Sequence, residues 1–434
     1  MISTASTVII GGGVMGCSIA YNLASRGVTG ILLLEQDVLG AGATGRSTAL
    51  VHTHYSTQVL AGMAWHSLQV FRDFSEIVGS RCGFTETGHL VFAGRKDHDQ
   101  TRARVALQQE VGIQTKIIDQ QEAGALTLGF DLDDCAAIVH EPLSGYADAS
   151  GTTLAYATRA RYLGVKTALR TSATELEITG GKVTGVLSSQ GRISAERVIV
   201  AAGAWSSGLL EQCGVSLPLT VSRHEVAAFT RPSASTSSLP GATDLVNQTY
   251  FRPEGTDLLL AGGGGPGEPV EDPSVYGHRP TQKSIESVWI RLVNRIPMME
   301  QTEYKNGFAG LYTSTPDRQP IIDQINGIEG LFVCAGFSGH GFKLAPAAGV
   351  TMAELVVDGQ ASTIDISPLR LSRFATGPNS KAGLLSESED DIVIKQSQDR
   401  FQSRIPLYLS IWVPPVDPTG RRRNGSWACR SLRA

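Results

Sequence analysis

The amino-acid sequence predicts an α/β fold that combines a parallel-sheet domain with a discontinuous α+β region on a mixed or antiparallel sheet. Three observations predict it. Residues 7–10, 14–26 and 30–35 alternate as strand, helix and strand, which makes a βαβ unit. A glycine-rich turn joins the first strand to the helix. From residue 217 to 261 the pattern changes to short strand-like segments separated by turn residues.

Length and composition favour a globular protein of about two domains. The chain has 434 residues, of which 41% are hydrophobic and 18% charged, and its formal net charge is −4. This balance excludes the basic surface of a nucleic-acid-binding protein and the composition of a disordered one. No apolar run reaches the ~18 residues that span a bilayer, and no secretory signal pattern is present. We therefore expect a cytoplasmic protein that binds small molecules, with no membrane span and no nucleic-acid partner.

The cysteines argue against a metal centre. The six cysteines are far apart in the sequence and form no CxxC pair; they are Cys17, Cys82, Cys135, Cys213, Cys334 and Cys429. Neither zinc ligation nor a disulfide framework fits this spacing. We expect reduced, mostly structural thiols and no bound metal.

Periodicity predicts further elements along the chain. Apolar residues recur every three to four positions over residues 58–78, which predicts one long amphipathic helix. The other predicted helices cover residues 97–111, 152–163 and 282–296. The predicted strands cover residues 88–93, 174–178, 182–187, 197–202, 225–230 and 257–261.

The turn after the first strand carries a dinucleotide motif. Gly11-Gly-Gly13-Val-Met-Gly16 matches GxGxxG, and Glu35 ends the next strand. Gly11 permits the tight turn, Gly13 lets the backbone approach a pyrophosphate, and Gly16 allows close packing of helix and strand. Glu35 can accept hydrogen bonds from ribose hydroxyls, which favours FAD or NAD. The context predicts a Rossmann-type domain whose cofactor contacts include Gly11, Gly13, Val14, Met15, Gly16, Glu35 and Gln36.

Four further segments resemble a known family. Residues 41–48, 198–205, 310–317 and 336–343 are similar, in this order, to signatures of the D-amino-acid oxidase superfamily. Within it the chain is most similar to the sarcosine oxidase β-subunit and the dimethylglycine/sarcosine dehydrogenase group. The resemblance covers about residues 6–374 and implies FAD as the cofactor. A nicotinamide-dependent dehydrogenase, the alternative reading of the first motif, leaves residues 336–343 without a role.

The resemblance also implies where FAD is held. Small residues at 42–48 can lay backbone N–H groups along the phosphates, and the glycines of 336–343 bring peptide groups to the flavin ring. The implied contacts are Thr44, Arg46, Ser47, Thr48, Thr174, Gly203, Gly310, Gly336, Phe337, Ser338, Gly339, Gly341, Phe342 and Lys343. Relatives tether FAD through residues at the positions of Gly310 and Arg46, and neither residue here can form such a bond. We expect noncovalent FAD.

For chemistry, the resemblance implies oxidation of an amine or amino acid. A hydride equivalent passes from the carbon next to nitrogen to flavin N5, and the imine hydrolyses. Lys343 matches a carboxylate-binding lysine, whereas His52 replaces a second cationic anchor, an arginine. The candidate catalytic residues are Lys343, His52, His54, Arg252 and His340. Leu260 falls where related oxidases carry an oxygen-activating lysine, so both oxygen and an electron carrier stay open as acceptors.

The order of the motifs predicts interleaved domains. FAD-binding pieces cover residues 1–83, 147–216 and 310–374, and substrate-domain pieces cover 84–146 and 217–309. Homo- and hetero-oligomers both stay open, and so does a noncatalytic FAD-binding assembly factor as the alternative to an enzyme.

Residues 375–434 differ from the rest of the chain. Ser-rich and acidic stretches lead to Pro414, Pro415 and Pro418 and then to a basic run, without sustained periodicity. We predict a poorly ordered tail with no periodic apolar face that could dock.

A chain that ends at Phe374 is therefore expected to retain FAD and to melt within a few degrees of the full-length protein. Flavin absorbance after purification and thermal unfolding of both chains measure this. Loss of flavin on truncation would show that the tail belongs to the fold.

Overall fold

The computed structural model describes residues 3–127, 129–232 and 239–374. In these ranges the chain forms nine α-helices: α1 (Val14–Ser25), α2 (Gln58–Arg72), α3 (Phe74–Val78), α4 (His98–Val111), α5 (Gln120–Thr127), α6 (Ala149–Tyr162), α7 (Ser206–Glu211), α8 (Gln282–Arg295) and α9 (Gly341–Asp358). The same ranges hold twenty strands: β1 (Thr4–Ile10), β2 (Ile31–Leu34), β3 (Leu50–Val51), β4 (Thr85–Glu86), β5 (His89–Ala93), β6 (Lys116–Ile118), β7 (Ala137–Glu141), β8 (Gly145–Tyr146), β9 (Lys166–Ala168), β10 (Ala173–Thr179), β11 (Lys182–Ser188), β12 (Gly191–Val200), β13 (Thr220–Thr230), β14 (Gly241–Asp244), β15 (Thr249–Glu254), β16 (Leu258–Gly263), β17 (Glu268–Pro269), β18 (Tyr304–Ser314), β19 (Ile321–Gln324) and β20 (Leu331–Ala335). Residues 375–434, predicted above to form a tail, lie outside the described residues.

The first sheet has eight strands around a parallel centre. Its parallel strands follow the order β9, β2, β1, β12, β20. β19 runs antiparallel to β20, and β10 and β11 form an antiparallel extension beside the first half of β12. The three strands predicted between residues 174 and 202 are thus present and belong to the sheet that β1 begins. The predicted α/β class and βαβ unit are confirmed.

The second sheet has nine strands from two separate stretches of chain. Its order is β17, β13, β16, β15, β14, β5, β7, β6, with β18 also paired to β13. All pairs are antiparallel except β14 with β5. A third, small sheet joins β3, β8 and β4.

Apolar side chains are buried on both faces of the first sheet and beneath α8. Helices α1, α2, α6 and α9 share one cluster with one face of the first sheet. On the opposite face, residues of the parallel strands form a second cluster with residues of β10, β11 and α7. A separate cluster lies between the second sheet and α8. Over the described residues, no helix is both long and apolar enough to cross a membrane.

Two predicted boundaries differ from the structure. The helix expected over residues 58–78 is interrupted at Asp73, whose backbone ends α2 and accepts hydrogen bonds from Glu76 and Ile77 at the start of α3. Asp has a low helix propensity, and the Asp73 side chain makes no capping hydrogen bond to α3. Helix α9 was not predicted: it is buried on nearly all sides and so has no polar face that would reveal its period. Gly341, Phe342 and Lys343, which the resemblance implies as FAD contacts, form its first turn.

Helices α1 and α9 touch along their backbones. The Ser18 hydroxyl of α1 donates to the carbonyl oxygen of Ala345 in α9 over 2.8 Å. A Cβ on Gly349 would overlap the Ser18 hydroxyl and lie 2.7 Å from Asn22 Nδ2. Only glycine therefore lets the two helices approach this closely.

Replacing Gly349 with alanine is expected to destabilise the fold. Alanine gains about 1 kcal/mol of helix propensity, but forced overpacking costs about 1–3 kcal/mol and should prevail at so close a contact. Thermal and urea unfolding measure the change. Gly62→Ala in α2 is the matched control: nothing lies within 4 Å of its added Cβ, so this variant should gain stability. A stability gain in both variants would contradict the close packing of α1 and α9.

Candidate functional site

Only glycine can occupy the tightest positions of the turn between β1 and α1. Gly11 has φ of +115°, and a Cβ there would overlap the carbonyl oxygen of Ala201 at the end of β12. A Cβ on Gly16 would overlap the carbonyl oxygen of Gly11 itself. The turn therefore wraps tightly around the start of α1, where the positive end of the helix dipole lies.

Glu35 holds this turn in place. Its side chain is buried, and its two oxygens accept hydrogen bonds from Gly12 N–H over 2.7 Å and Asp37 N–H over 2.8 Å. A carboxylate has about four acceptor sites, so capacity for ribose hydroxyls remains. Gln36, the neighbouring predicted contact, is exposed. Thr171 N–H donates to the Glu35 carbonyl, which brings the chain leading into β10 and Thr174 to this end of the sheet.

The loop of residues 41–48 lies against the start of α1. Thr44 Oγ1 accepts from Val14 N–H over 3.1 Å and lies 3.2 Å from where a Cβ of Gly13 would be. The Arg46 guanidinium donates to the carbonyls of Ala41 and Gly42 and so closes its own loop. Ser47 Oγ accepts from Ala49 N–H over 3.0 Å. Three predicted phosphate-loop residues thus shape the loop through local bonds.

The second glycine-rich segment turns sharply before α9. Gly336, Ser338 and Gly339 all have positive φ, and Ser338 N–H donates to the Thr313 carbonyl of β18 over 2.9 Å. Positive φ is strained for serine, so the surrounding bonds must hold it there. A Cβ on Gly341 would contact Met15 Cε at 3.4 Å. The two glycine motifs, distant in sequence, are therefore adjacent in space.

Other predicted cofactor positions meet this region. Gly310 on β18 packs on Arg46: an added Cβ would lie 2.9 Å from the Arg46 carbonyl oxygen. Gly203, with φ of +54°, begins the turn that brings Trp205 to within 3.9 Å of an added Cβ on Gly42. Gly310 and Arg46 are thus in direct contact.

Arg252 links the second sheet to residues 41–48, the FAD-loop segment, so called because the sequence predicts that this loop binds FAD. The buried guanidinium donates to the carbonyls of Thr48 and Pro253 and pairs with Glu254 at 2.5 Å. It also lies over the Tyr146 ring, 4.3 Å from its centroid. These contacts connect β15 to the carbonyl oxygen of Thr48.

The other predicted catalytic residues come together in one buried group. Its ring contacts run from His89 to His52 (centroids 4.7 Å apart), to Tyr55 (5.8 Å) and to His340 (5.4 Å). His54 Nδ1 lies 3.8 Å from Glu141 Oε1 and 3.2 Å from Gln108 Nε2. We call His52, His54, Tyr55, His89, Gln108, Glu141, His340 and Lys343 the buried polar cluster.

Burial sets the charges in the buried polar cluster. It lowers the pKa of His54 and of His89 to about 3, and the pKa values of His52 and His340 also fall well below their usual range. All four imidazoles are neutral at pH 7. Burial lowers the pKa of Lys343 to about 8, a shift that Glu141 opposes. Lys343 therefore keeps its positive charge at neutral pH.

Many polar atoms of this cluster lack partners. Among the described residues, no hydrogen bond or ion pair reaches Lys343, although its side chain is only 8% exposed. Buried atoms without hydrogen-bond partners include His52 Nδ1, His54 Nε2, Tyr55 Oη, His89 Nδ1, Gln108 Oε1 and Glu141 Oε1. Buried polar atoms are normally paired, so this concentration is typical of a site that binds a polar ligand. In the described ranges no group of His, Cys, Asp or Glu is arranged to hold a metal.

Sequence reasoning missed several residues near these motifs. Glu141, His89 and Gln108 belong to β7, β5 and α4, and no local motif marks them. On the second sheet, Tyr250 and Tyr312 place their hydroxyls 3.4 Å apart, and His224 stacks on Tyr312 at 3.8 Å. A Cβ on Gly339 would overlap the Tyr312 ring, which brings this pair to the second glycine segment. Of these residues, only Tyr312 was marked by the sequence, because it lies in the 310–317 motif.

The fold and these two glycine segments define an oxidoreductase that binds a dinucleotide. The tight turn, the helix N-terminus and Glu35 fit an adenine dinucleotide, and the Gly336–Gly341 segment lies beside this turn through the contact of Gly341 with Met15. The family model for FAD-dependent oxidoreductases, DAO, matches residues 6–355. The chain belongs to this family, which confirms the resemblance and FAD as the cofactor in place of a nicotinamide.

Among its relatives, the chain is 28% identical to human mitochondrial sarcosine dehydrogenase over 82% of its length, and 26% identical to sarcosine oxidase subunit beta of Arthrobacter sp. over 85%. It is also 28% identical to the mitochondrial pyruvate dehydrogenase phosphatase regulatory subunit of mouse over 96%. The matches cover 40% of the human protein, 91% of the Arthrobacter subunit and 47% of the mouse protein. The chain thus spans less than half of the two mitochondrial relatives.

Among solved structures, the L-proline dehydrogenase from P. horikoshii superposes with a TM-score of 0.81 at 26% identity. The match covers 86% of this chain and 99% of that chain. The Rossmann-type FAD-binding architecture predicted from the sequence is confirmed.

Acid precipitation is expected to release all flavin as FAD. Gly310 has no side chain that could bond to the flavin, and the Arg46 guanidinium is engaged by carbonyls and is not a nucleophile. Absorbance of the supernatant and pellet, with free FAD carried through the same step as the control, measures this. Flavin that stays with the pellet would contradict noncovalent binding.

Proposed function

We propose that this chain oxidises a secondary or tertiary amino acid of the sarcosine or dimethylglycine kind. The observation that carries the proposal is the unpaired, buried Lys343 in the first turn of α9, directly after the glycine segment that fits the cofactor ring. FAD, when bound, supplies the oxidising chemistry by accepting a hydride equivalent from the carbon next to nitrogen. The imine product then hydrolyses in water.

Lys343 binds the substrate carboxylate in this proposal. An unpaired ammonium in a buried site is costly, and a carboxylate that enters the site compensates for that cost. The neutral imidazoles of His52, His54 and His340 supply directional hydrogen bonds without a second positive charge. The binding thus depends on one cation, which accords with histidine at the position where relatives carry an arginine.

Leu260 lies in an apolar group with Val226, Ala228 and Phe308. We propose that the final electron acceptor is either oxygen or an electron carrier. We also propose a cytoplasmic location. The cysteines of the described residues form no disulfide, which supports this location.

A noncatalytic, FAD-binding regulatory protein is the second candidate. The similarity to the mouse regulatory subunit extends over 96% of this chain and favours it. Anaerobic bleaching of the bound flavin by a panel of N-methyl amino acids separates the two functions, because a regulatory protein would leave the flavin oxidised. We also propose the interleaved FAD-binding and substrate domains and the poorly ordered tail over residues 375–434, as predicted from the sequence.

Replacing Lys343 with methionine is expected to reduce kcat/KM for an amino-acid substrate by roughly tenfold or more, with FAD still bound. Methionine keeps much of the apolar stem, while a charge-assisted contact of about 1.5–3 kcal/mol is lost. Anaerobic flavin reduction measures the rate without involving the acceptor. Amines that lack the carboxylate should be affected much less.

Lys305→Met serves as the matched control, because this exposed lysine pairs only with Glu303 in the described structure and should leave the kinetics unchanged. Equal losses on substrates with and without a carboxylate would mean that Lys343 serves the flavin. No loss on either would remove it from the active site.

A further inference from the structure

Glu141 ends β7 with one carboxylate oxygen bonded and the other free. Its side chain is 1% exposed. Oε2 accepts from Thr53 N–H over 2.8 Å and from the Ser144 hydroxyl over 2.9 Å. Oε1 is buried without a hydrogen-bond partner. The bonded oxygen fixes the carboxylate, so the free oxygen has a defined position inside the buried polar cluster.

His54 cannot satisfy this free oxygen. Gln108 Nε2 donates both to the Tyr55 carbonyl over 3.1 Å and to His54 Nδ1 over 3.2 Å. The contact with a carbonyl identifies this atom as the amide nitrogen, so His54 Nδ1 is the acceptor and carries no proton. The 3.8 Å between His54 Nδ1 and Glu141 Oε1 is therefore not a hydrogen bond. The imidazole proton is on Nε2, which also lacks a partner.

Lys343 does not satisfy the free oxygen either. The two groups influence each other's charge, yet they form no ion pair among the described residues. An anion and a cation therefore share one buried site with a gap between them. A ligand that fills this gap with matching groups would carry a carboxylate toward Lys343 and a cationic nitrogen toward Glu141, which describes a zwitterionic amino acid.

We propose that Glu141 binds the ammonium group of the substrate and accepts its proton, an inference that rests on the proposed function. The N–H bond of the bound ammonium breaks, its electron pair stays on nitrogen, and an O–H bond forms on Glu141 Oε1. The amine is then neutral, as loss of a hydride equivalent from the adjacent carbon requires. Glu141 would be a catalytic residue, and Lys343 would set the orientation through the carboxylate.

The groups that face Glu141 fit this role. His54 and Tyr55 approach from the segment after β3, His89 lies opposite on β5, and Lys343 approaches from α9. At neutral pH only Lys343 among them is charged, since burial lowers the pKa values of the histidines and raises that of Tyr55. Burial also raises the pKa of Glu141 above its usual range, which strengthens it as a proton acceptor.

Equilibrium binding tests the recognition. The probes are N,N-dimethylglycine and 3-methylbutanoate, which has the same shape and carboxylate but carbon in place of nitrogen. Both are titrated by calorimetry into the FAD-loaded protein whose flavin has first been reduced anaerobically, so that dimethylglycine binds without being oxidised. Glu141→Gln should weaken dimethylglycine binding by roughly tenfold or more and leave 3-methylbutanoate binding unchanged or tighter. Lys343→Met should weaken both.

The pH dependence of flavin reduction tests the proton transfer. The wild type should reduce its flavin near neutral pH because Glu141 takes the ammonium proton. Glu141→Gln must bind an amine that is already neutral in solution, so log kcat/KM should rise by about one per pH unit up to about pH 8, where Lys343 begins to lose its charge. Glu141→Asp, which restores the carboxylate, should recover activity near neutral pH.

Glu354→Gln is the matched control. Glu354 is a buried carboxylate of α9 that, within the described part of the chain, accepts hydrogen bonds only from residues 362 and 363 and pairs with Arg26. Its variant should therefore keep the wild-type ligand preference and pH profile. The 3-methylbutanoate titration shows in the same sample whether Glu141→Gln remains folded.

Equal weakening of both probes by Glu141→Gln, or no weakening of either, would overturn the role of Glu141 while the proposed function stands. A wild-type protein that binds neither probe and reduces its flavin with no amine would overturn both.

Discussion

The close contact between α1 and α9 is the constraint on which the site depends. Each helix begins directly after a glycine-rich segment, so the contact of Ser18 with Ala345 and the missing side chain of Gly349 set how near those two segments come. The fold thereby brings two helix N-termini to one place. Both present positive dipole ends, which favour the negative phosphates and the reduced ring of a flavin. The packing of these two helices thus places two positive helix ends at one site.

The second sheet completes the site at an energetic cost. It contributes Glu141 and His89 from β7 and β5, and it is anchored to the FAD-loop segment by Arg252, whose guanidinium bonds to the Thr48 carbonyl. Polar atoms without partners and an unpaired ammonium lower the stability of a folded protein. The well-packed clusters on both faces of the first sheet can offset that cost. A ligand with complementary groups would recover part of it, which links binding to the stability of the fold.

Much of the fold was predictable because its signals are local. The βαβ unit, the strands between residues 174 and 202 and helix α8 follow from periodicity within short windows. The failures have local causes too. Helix α9 is buried on nearly all sides, so no polar face reveals its period, and Asp73 divides a helix whose apolar pattern continues across the break. Arg252 was identified as a cation near the site, but its acceptors, two backbone carbonyls, leave no trace in a sequence.

The sequence by itself determined the cofactor turn, because Gly11, Gly13, Gly16 and Glu35 act through a spacing that one strand, one turn and one helix impose. It also singled out Lys343 through its motif. Only the tertiary structure decided that Lys343 stays unpaired, that the imidazoles around it are neutral, and that Glu141 faces it across a gap. Charge states and distances of this kind depend on burial and on contacts between segments far apart in the chain, and no local pattern of residues encodes them.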